Sequence, residues 1–173
     1  MIIKKYIHLL FQTTVLMLLA ATASPLLGEE STHDSLAAHD EEEEFERNVA
    51  AVFIGVTGKE RRNGEPALGL EYARYFNPSF AIRGIIEYTS GDDDFWVVAV
   101  PFAYRTGPWT AYIAPGFEVE ELKDRPSDSH WLLRVGGEYG FEIGKVEVAP
   151  QINVDFVEGD TVFVFGVTVG TRF

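Results

Sequence analysis

Cysteine is absent from the 173-residue chain, and both basic residues and long apolar runs are scarce. Without cysteine the chain can form neither disulfides nor thiolate metal sites. The 14 Lys and Arg against 27 Asp and Glu give a net charge of -13, which argues against nucleic-acid binding because a phosphate backbone needs a basic face. After residue 23 no apolar run is long enough for a transmembrane helix. Any membrane span must therefore be made of strands.

The first 46 residues divide into two segments of different composition. Lys4 and Lys5 precede an apolar run from Val15 to Ala21, and a small-x-small site ends at Ala23. This pattern is typical of a secretory signal peptide, residues 1–23, with cleavage before Ser24. Residues 24–46 are dense in Asp and Glu, and like charges at that density cannot bury a core. They are predicted to form a disordered, acidic, histidine-containing periplasmic tail.

The alternation of apolar and polar residues in residues 47–173 predicts a series of strands separated by turn residues. Connections after the second, fourth and sixth strands are short, whereas those after the first, third, fifth and seventh are charged and are predicted to be longer. Both ends of this region lie on the side of the short turns, which is the plan of an outer-membrane barrel. The eight predicted strands span about 48–57, 66–76, 80–88, 94–104, 109–119, 130–141, 145–156 and 161–173.

The last predicted strand has the clearest alternation in the chain. Phe165, Val167, Val169 and Phe173 share one apolar parity, while the other parity is small or polar. A strand of about 10 residues or more with this pattern can cross a bilayer when tilted. In water such a hydrophobic terminal strand would be an aggregation-prone edge, whereas a closed barrel has no edge. The chain is therefore expected to end inside a closed sheet.

The same alternation assigns the faces of all eight strands. The parity predicted to face outward carries no charge, and the opposite parity carries the charged and glycine residues. A soluble lipocalin-like carrier, the alternative, would have the apolar face inside. The outward set is Ala50, Val52, Ile54, Val56, Leu68, Leu70, Tyr72, Phe80, Ile82, Ile86, Tyr88, Trp96, Val98, Val100, Phe102, Tyr104, Trp109, Ala111, Ile113, Pro115, Phe117, Trp131, Leu133, Val135, Tyr139, Phe141, Val146, Val148, Ile152, Val154 and Phe156.

Aromatic residues near the strand ends indicate two interfacial girdles. At the loop rim they are Tyr88, Trp96, Phe117, Trp131 and Phe156. At the turn rim they are Tyr75, Phe76, Phe80, Tyr104, Trp109, Tyr139, Phe141 and Phe173.

Charged residues of the inward parity are predicted to pair inside the barrel. Arg83 and Glu87 are four apart, as are Arg134 and Glu138, and a hairpin at Asn77-Pro78 would set Glu71 roughly opposite Arg83. An eight-stranded barrel has room only for its own side chains, so the network is expected to plug the lumen. No catalytic residue, metal or cofactor is assigned. The predicted network comprises Glu71, Arg83, Glu87, Arg134, Glu138 and Glu147.

Three further features carry weaker hypotheses. Asp128, Ser129 and His130 are residue types of a catalytic triad, but adjacent residues do not easily converge on one another. Asp92, Asp93 and Asp94 could bind Ca²⁺, although a solvated turn is the simpler interpretation. Prolines within three predicted strands should cause bulges or local distortion, namely Pro101, Pro115 and Pro150.

The signal peptide, the eight alternating strands and the terminal Phe173 resemble the small outer-membrane β-barrel family that includes the OmpA membrane domain and OmpX. The resemblance implies an all-β, eight-stranded antiparallel up-and-down barrel in the bacterial outer membrane. It also implies contact with outer-membrane lipids and lipopolysaccharide, and an assembly signal formed by Phe165, Val167, Val169 and Phe173 that the assembly machinery reads. A monomer with a structural or narrow porin-like role is expected. A lipid-modifying enzyme and a soluble carrier remain the alternatives.

Overall fold

The computed structural model describes residues 47–59, 64–91, 94–121 and 128–173. The predicted signal peptide, the acidic tail, Asp92 and Asp93 lie outside the described residues. Within those ranges no helix is long and apolar enough to cross a membrane.

Eight antiparallel strands make up the described fold, and two of them are interrupted. The bounds are β1 (Asn48–Lys59), β2 (Glu65–Asn77), β3 (Phe80–Thr89), β4 (Asp94–Ala99 and Phe102–Thr106), β5 (Trp109–Glu121), β6 (Asp128–Tyr139 and Phe141–Ile143), β7 (Val146–Val157) and β8 (Asp160–Arg172). Each strand pairs with its neighbours in sequence, and β8 pairs with β1 from Val49 opposite Arg172 to Lys59 opposite Val162. The sheet is therefore closed, and the prediction of an eight-stranded barrel is confirmed.

Backbone hydrogen bonds complete the closure at the turn end. Asn48 donates its N–H to the carbonyl of Phe173 at 3.1 Å, and Phe173 donates its N–H to the carbonyl of Asn48 at 2.9 Å. The backbone of Phe173 is thus paired, and no strand of the described barrel presents a free edge.

The connection between β7 and β8 is shorter than the sequence indicated. It lies on the rim of the longer loops, yet it is a two-residue turn in which Glu158 has φ 48° and Gly159 has φ 94°. Two successive residues with positive φ are typical of the tight hairpin turn that matches strand twist. The expectation of a longer loop at Val157–Asp160 was wrong.

Pro101 interrupts β4 without shifting the register, whereas Pro115 and Pro150 lie within continuous strands and pair with Leu133 and Val167. Ala99 pairs with Gly116 and Phe102 with Ile113, so the ladder has the same register on both sides of Pro101. The ladder is supported there by hydrogen bonds to proline carbonyls, from Arg83 N–H to Pro101 at 2.8 Å and from Val100 N–H to Pro115 at 2.9 Å. The predicted distortion is therefore a gap at Pro101, because proline removes a donor but not an acceptor, and the strands that contain Pro115 and Pro150 are not broken. The β2–β3 register shifts instead between Tyr75 and Asn77, at the turn.

The face assignment is confirmed, since none of the residues predicted to face outward is buried. Ile54 and Leu70 are 62% and 64% exposed, as expected for side chains that meet lipid rather than water. Tyr75 is an exception within the predicted aromatic girdle, because it points into the barrel and is buried.

The interior is less polar than the alternation suggested. Three apolar clusters share it with the charges, and Phe53, on the inward parity of β1, has no exposed surface. Two clusters lie in the half near the longer loops and one lies near the short turns. They are Phe95, Val97, Ala99, Ala114, Leu132 and Val157; Phe53, Ala67, Val162 and Val164; and Ala73, Tyr75, Ala81, Ala103 and Tyr112.

Candidate functional site: the charged barrel interior

Arg134 is the centre of the larger ion cluster inside the barrel. Its Nη1 and Nη2 donate to the Glu87 carboxylate at 2.9 and 3.2 Å, and its Nε and Nη2 donate to Asp155 at 2.6 and 2.7 Å. Asp155 is its direct partner on β7, whereas Glu87 reaches across from β3. All three side chains are nearly fully buried. Two bidentate pairs on one guanidinium are strong, geometrically specific contacts.

Arg83 organises a second cluster nearer the turn end. Its Nη1 and Nη2 donate to the Glu138 carboxylate at 3.0 and 2.5 Å, and Nη1 lies 4.0 Å from a Glu71 oxygen. The guanidinium carbon is 5.6 Å from the centre of the Tyr112 ring, a distance that suits a cation–π contact. Its Nε is buried without a hydrogen-bond partner among the described residues.

The structure exchanges the salt-bridge partners that the sequence predicted. Glu87 binds Arg134 and Glu138 binds Arg83, so neither same-strand pair forms. Residues four apart on a strand are separated by about 13 Å along it, which is too far for a direct contact. The long side chains of these residues instead reach across the lumen, between β3 and β6. The residue paired with Arg83 is Ala73, which leaves Glu71 displaced by two positions.

A chain of neutral polar groups joins the remaining interior residues. Gln151 donates its amide to Glu71 at 3.2 Å and to Thr168 at 2.8 Å. The Tyr112 hydroxyl lies 2.8 Å from Gln151 Oε1 and 2.5 Å from Asn153 Oδ1. One hydroxyl cannot donate to two oxygens, so we orient the Asn153 amide with Nδ2 toward Tyr112. This orientation also gives a partner to Asn153 Nδ2, which is otherwise buried without one.

Glu147 does not belong to this interior network. It lies at the turn rim, where Arg105 Nη1 donates to it at 3.2 Å and Arg172 Nη2 also donates to it. Both arginines also lie 2.9 Å from Glu142. Burial alone would raise the pKa of Glu147, but the hydrogen bond from Arg172 and the charge of Arg105 hold that pKa below its usual value. The sequence missed Arg105, Arg172 and Glu142 as members of a rim cluster, because they meet only when the strand ends are brought together.

Asp155 was assigned to the inward face but not to the charge network. The signal that could have found it is the cross-strand register, since Asp155 is the direct β7 partner of Arg134.

The described residues line two cavities in the turn half of the barrel. The larger, about 490 Å³, is a cleft at the turn rim whose walls include Tyr75, Arg105 and Arg172. The smaller, about 30 Å³, is lined by Glu71, Arg83 and Thr168 among others. Arg134 and the apolar clusters of the loop half line neither of them.

The Asp128, Ser129 and His130 trio does not converge. Ser129 pairs with Val119 on the outward parity, and its neighbours Asp128 and His130 have the opposite parity. His130 Nδ1 lies 2.9 Å from the Glu158 carboxylate, and the hydrogen bond that this carboxylate accepts raises the pKa of His130. The described residues contain no group of three or more His, Cys, Asp or Glu side chains placed to hold a metal ion.

The residues of the predicted assembly signal lie on the outer face of the barrel. Phe165, Val167, Val169 and Phe173 are all exposed there. Their role in assembly remains a prediction.

Aromatic pairs occupy both rims. Tyr88 and Trp96 have ring centres 4.9 Å apart, and Phe117 and Trp131 5.3 Å apart, at the loop rim. At the turn rim Phe80 lies 5.0 Å from Tyr104. A second pair there, Trp109 and Tyr139, is 4.8 Å apart. Paired aromatics at two levels are typical of side chains at the two membrane interfaces.

A closed eight-stranded barrel with an apolar exterior, a charged interior and two aromatic rims is the architecture of small outer-membrane β-barrels. No protein-family model matches the chain, and no curated protein matches it either. Among solved structures, Ail, the attachment invasion locus protein of Yersinia pestis, is 16% identical with a TM-score of 0.51, over 73% of this chain and 97% of that chain. The N-terminal β-barrel domain of Pseudomonas aeruginosa OprF is 10% identical with a TM-score of 0.52, over 73% and 98%.

A third similar structure is the outer-membrane enzyme PagL, which is 11% identical with a TM-score of 0.44, over 73% of this chain and 99% of that chain. Identities this low establish the fold and say nothing about activity. The matched structures of Ail and the OprF domain agree with the β-barrel fold predicted from the sequence.

Proposed function

We propose that the protein is an integral outer-membrane β-barrel with a non-enzymatic, structural role and a lumen that is closed at rest. Its apolar exterior would contact outer-membrane lipids, with lipopolysaccharide near the longer loops and the short turns facing the periplasm. The outward parity of β8 would be read by the assembly machinery. In this role the barrel acts as a monomer.

The observation that carries this proposal is the packed cross-section of the barrel. Polar and apolar side chains fill the lumen at successive levels. Five of them are each exposed by 2% or less, namely Arg134, Glu87, Phe53, Leu132 and Val97. Both ion clusters are held by bidentate contacts, and breaking a buried pair by removing one partner costs about 3 to 5 kcal/mol. Thermal motion should therefore open the plug only rarely.

A narrow porin-like role differs from this proposal in how often the plug opens. The two clusters contain more negative than positive side chains, namely Glu71, Glu87, Glu138 and Asp155 against Arg83 and Arg134. Any brief opening should therefore pass cations in preference to anions. Solute entry into proteoliposomes measures how often this happens. The wild type should admit small sugars no faster than protein-free liposomes, and rapid entry would favour the porin-like role.

A matched variant shows that the assay can detect an open lumen. Replacing Glu87, Arg134 and Asp155 by alanine removes the central cation together with both of its anionic partners. Replacing Phe53 and Leu132 by alanine in the same variant also removes apolar side chains that close the loop half. This combined variant should admit the sugars faster than the wild type.

The non-enzymatic part of the proposal is tested on lipid A. Its support is that Ser129 and His130 point to opposite faces, so the candidate trio lacks a nucleophile next to its base. Lipid A from cells with and without the protein should have the same acyl chains and the same mass. A mass difference that depends on His130 would assign a lipid-modifying activity instead.

A further inference from the structure

The cleft at the turn rim has the size of a small-molecule site. Its volume is about 490 Å³, within the range of about 300 to 1,000 Å³ for ligand pockets. The walls come from strand ends and turns that are distant in sequence, so the cleft exists only in the closed barrel. Tyr75, Pro78 and Pro108 supply its apolar wall, and Arg105, Glu142 and Arg172 supply its charge.

The charges around this cleft form a balanced set of two arginines and two carboxylates. Arg105 and Arg172 stand on different strands, and Glu142 and Glu147 of the β6–β7 hairpin contact both of them. The net charge of the set is zero. A purely anionic ligand would be repelled by the carboxylates, and a purely cationic one by the arginines.

Two neighbouring groups of this set keep unused hydrogen-bonding capacity. Arg172 donates only through Nη2, so its Nε and Nη1 have no partner among the described residues. Glu142 accepts only through Oε1, which leaves Oε2 available, and its side chain is 55% exposed. Available N–H donors of Arg172 thus lie beside an available carboxylate oxygen of Glu142.

We propose that the turn-end cleft binds the zwitterionic head of an α-amino acid, free or as part of a larger molecule. The α-carboxylate binds the Arg172 guanidinium and the α-ammonium binds Glu142, because an α-amino acid carries both charges on one carbon, as the adjacent pair requires. The amino-acid side chain lies against Tyr75, Pro78 and Pro108. This site is independent of the structural role proposed above and requires only that the turn end be open to water.

The experiment measures the binding of L-methionine to the purified full-length chain in lipid nanodiscs by titration calorimetry. Two analogues, 3-(methylthio)propylamine and 4-(methylthio)butanoate, each lack one of the two charges. L-Methionine should bind, and each analogue should bind at least about tenfold more weakly, since a hydrogen bond to a charged group is lost. No binding of L-methionine at millimolar concentration, or equal binding of an analogue, would overturn the proposal.

Variants assign the binding to the named residues. Arg172→Gln and Glu142→Gln should each weaken L-methionine binding by about tenfold, whereas Asp160→Asn, at the opposite end of the barrel, should leave it unchanged. If Arg172→Gln does not fold, Glu142→Gln decides, because its exposed side chain is dispensable for the core. Binding that is unaffected by Glu142→Gln would rule out this site.

Discussion

The ring of Phe53 fits into the loop half of the lumen because its neighbours Gly55 and Gly166 carry no side chain. A Cβ added at Gly166 would lie 2.1 Å from a ring carbon of Phe53, and one at Gly55 would lie 2.3 Å from another. The alternation of polarity predicts that this parity faces inward, but it does not predict an aromatic ring there. The small residues at Gly55 and Gly166 were the available signal, because they leave room for one large neighbour.

Gly166→Ala should therefore destabilise the barrel. The new methyl group would overlap the Phe53 ring and the carbonyl of Ile54, and overpacking of this kind costs about 1 to 3 kcal/mol. Urea unfolding in lipid vesicles measures the change. Gly137→Ala is the matched control, since its Cβ would meet nothing closer than 3.7 Å and should be tolerated. Equal losses for both variants would mean that the Phe53 ring is not packed on Gly166.

His130 couples the β6 end of the loop rim to the β7–β8 turn. The hydrogen bond that His130 donates to the Glu158 carboxylate raises the pKa of His130. Desolvation opposes this shift, and the negative charges of Glu158, Asp128 and Glu120 add to it. A group whose folded-state pKa is raised stabilises the fold fully below its unfolded pKa of about 6.5. That contribution is lost as the pH rises through the folded pKa.

NMR titration of the His130 ring should accordingly give a pKa above the ordinary value. Glu158→Gln should bring it back toward that value and flatten the dependence of the unfolding free energy on pH above about 6.5. A His130 pKa that is unchanged by Glu158→Gln would contradict the contact between the two side chains.

At the scale of the strand, β8 shows why so much of the fold could be predicted. Side chains of one parity contact lipid and are apolar, whereas those of the other parity face the filled lumen and are small or polar. The alternation with a period of two is therefore visible directly in the sequence. The partners inside the barrel could not be predicted in the same way. Arg83 binds Glu138 and Arg134 binds Glu87 because closure brings together strands that are 47 to 55 residues apart.

Val167→Arg should be costly because Val167 lies in mid-strand on the lipid face, between Ile54 of β1 and Pro150 of β7. An arginine at the bilayer midplane costs about 2 to 4 kcal/mol, and the cost falls to about 0 to 1 near the interface. Refolding into lipid vesicles should show this larger loss for Val167→Arg and the smaller one for Thr171→Arg, which lies on the same face near the rim. Equal losses would mean that β8 does not cross the membrane with this face toward lipid.

At the scale of the whole molecule, the interior changes character from one end to the other. The turn half contains the two cavities, the middle contains the ion clusters, and the loop half is closed by Phe53, Leu132 and Val97. The sequence predicted a plug of charges alone. The apolar layer was not predicted, because Phe53, Val97 and Leu132 come from β1, β4 and β6 and meet only when the barrel closes. This layer is a second barrier to ions, since an apolar constriction admits no hydrated charge.

Current recording across a planar bilayer is the most direct test of a closed lumen. The purified wild type should be silent or give small, flickering, cation-preferring events, because both the ion clusters and the apolar layer must open together. Arg83→Ala should make such events more frequent, since Glu138 loses its bidentate partner and Glu71 its nearest cation. A large, stable conductance from the unmodified protein would contradict the closed barrel.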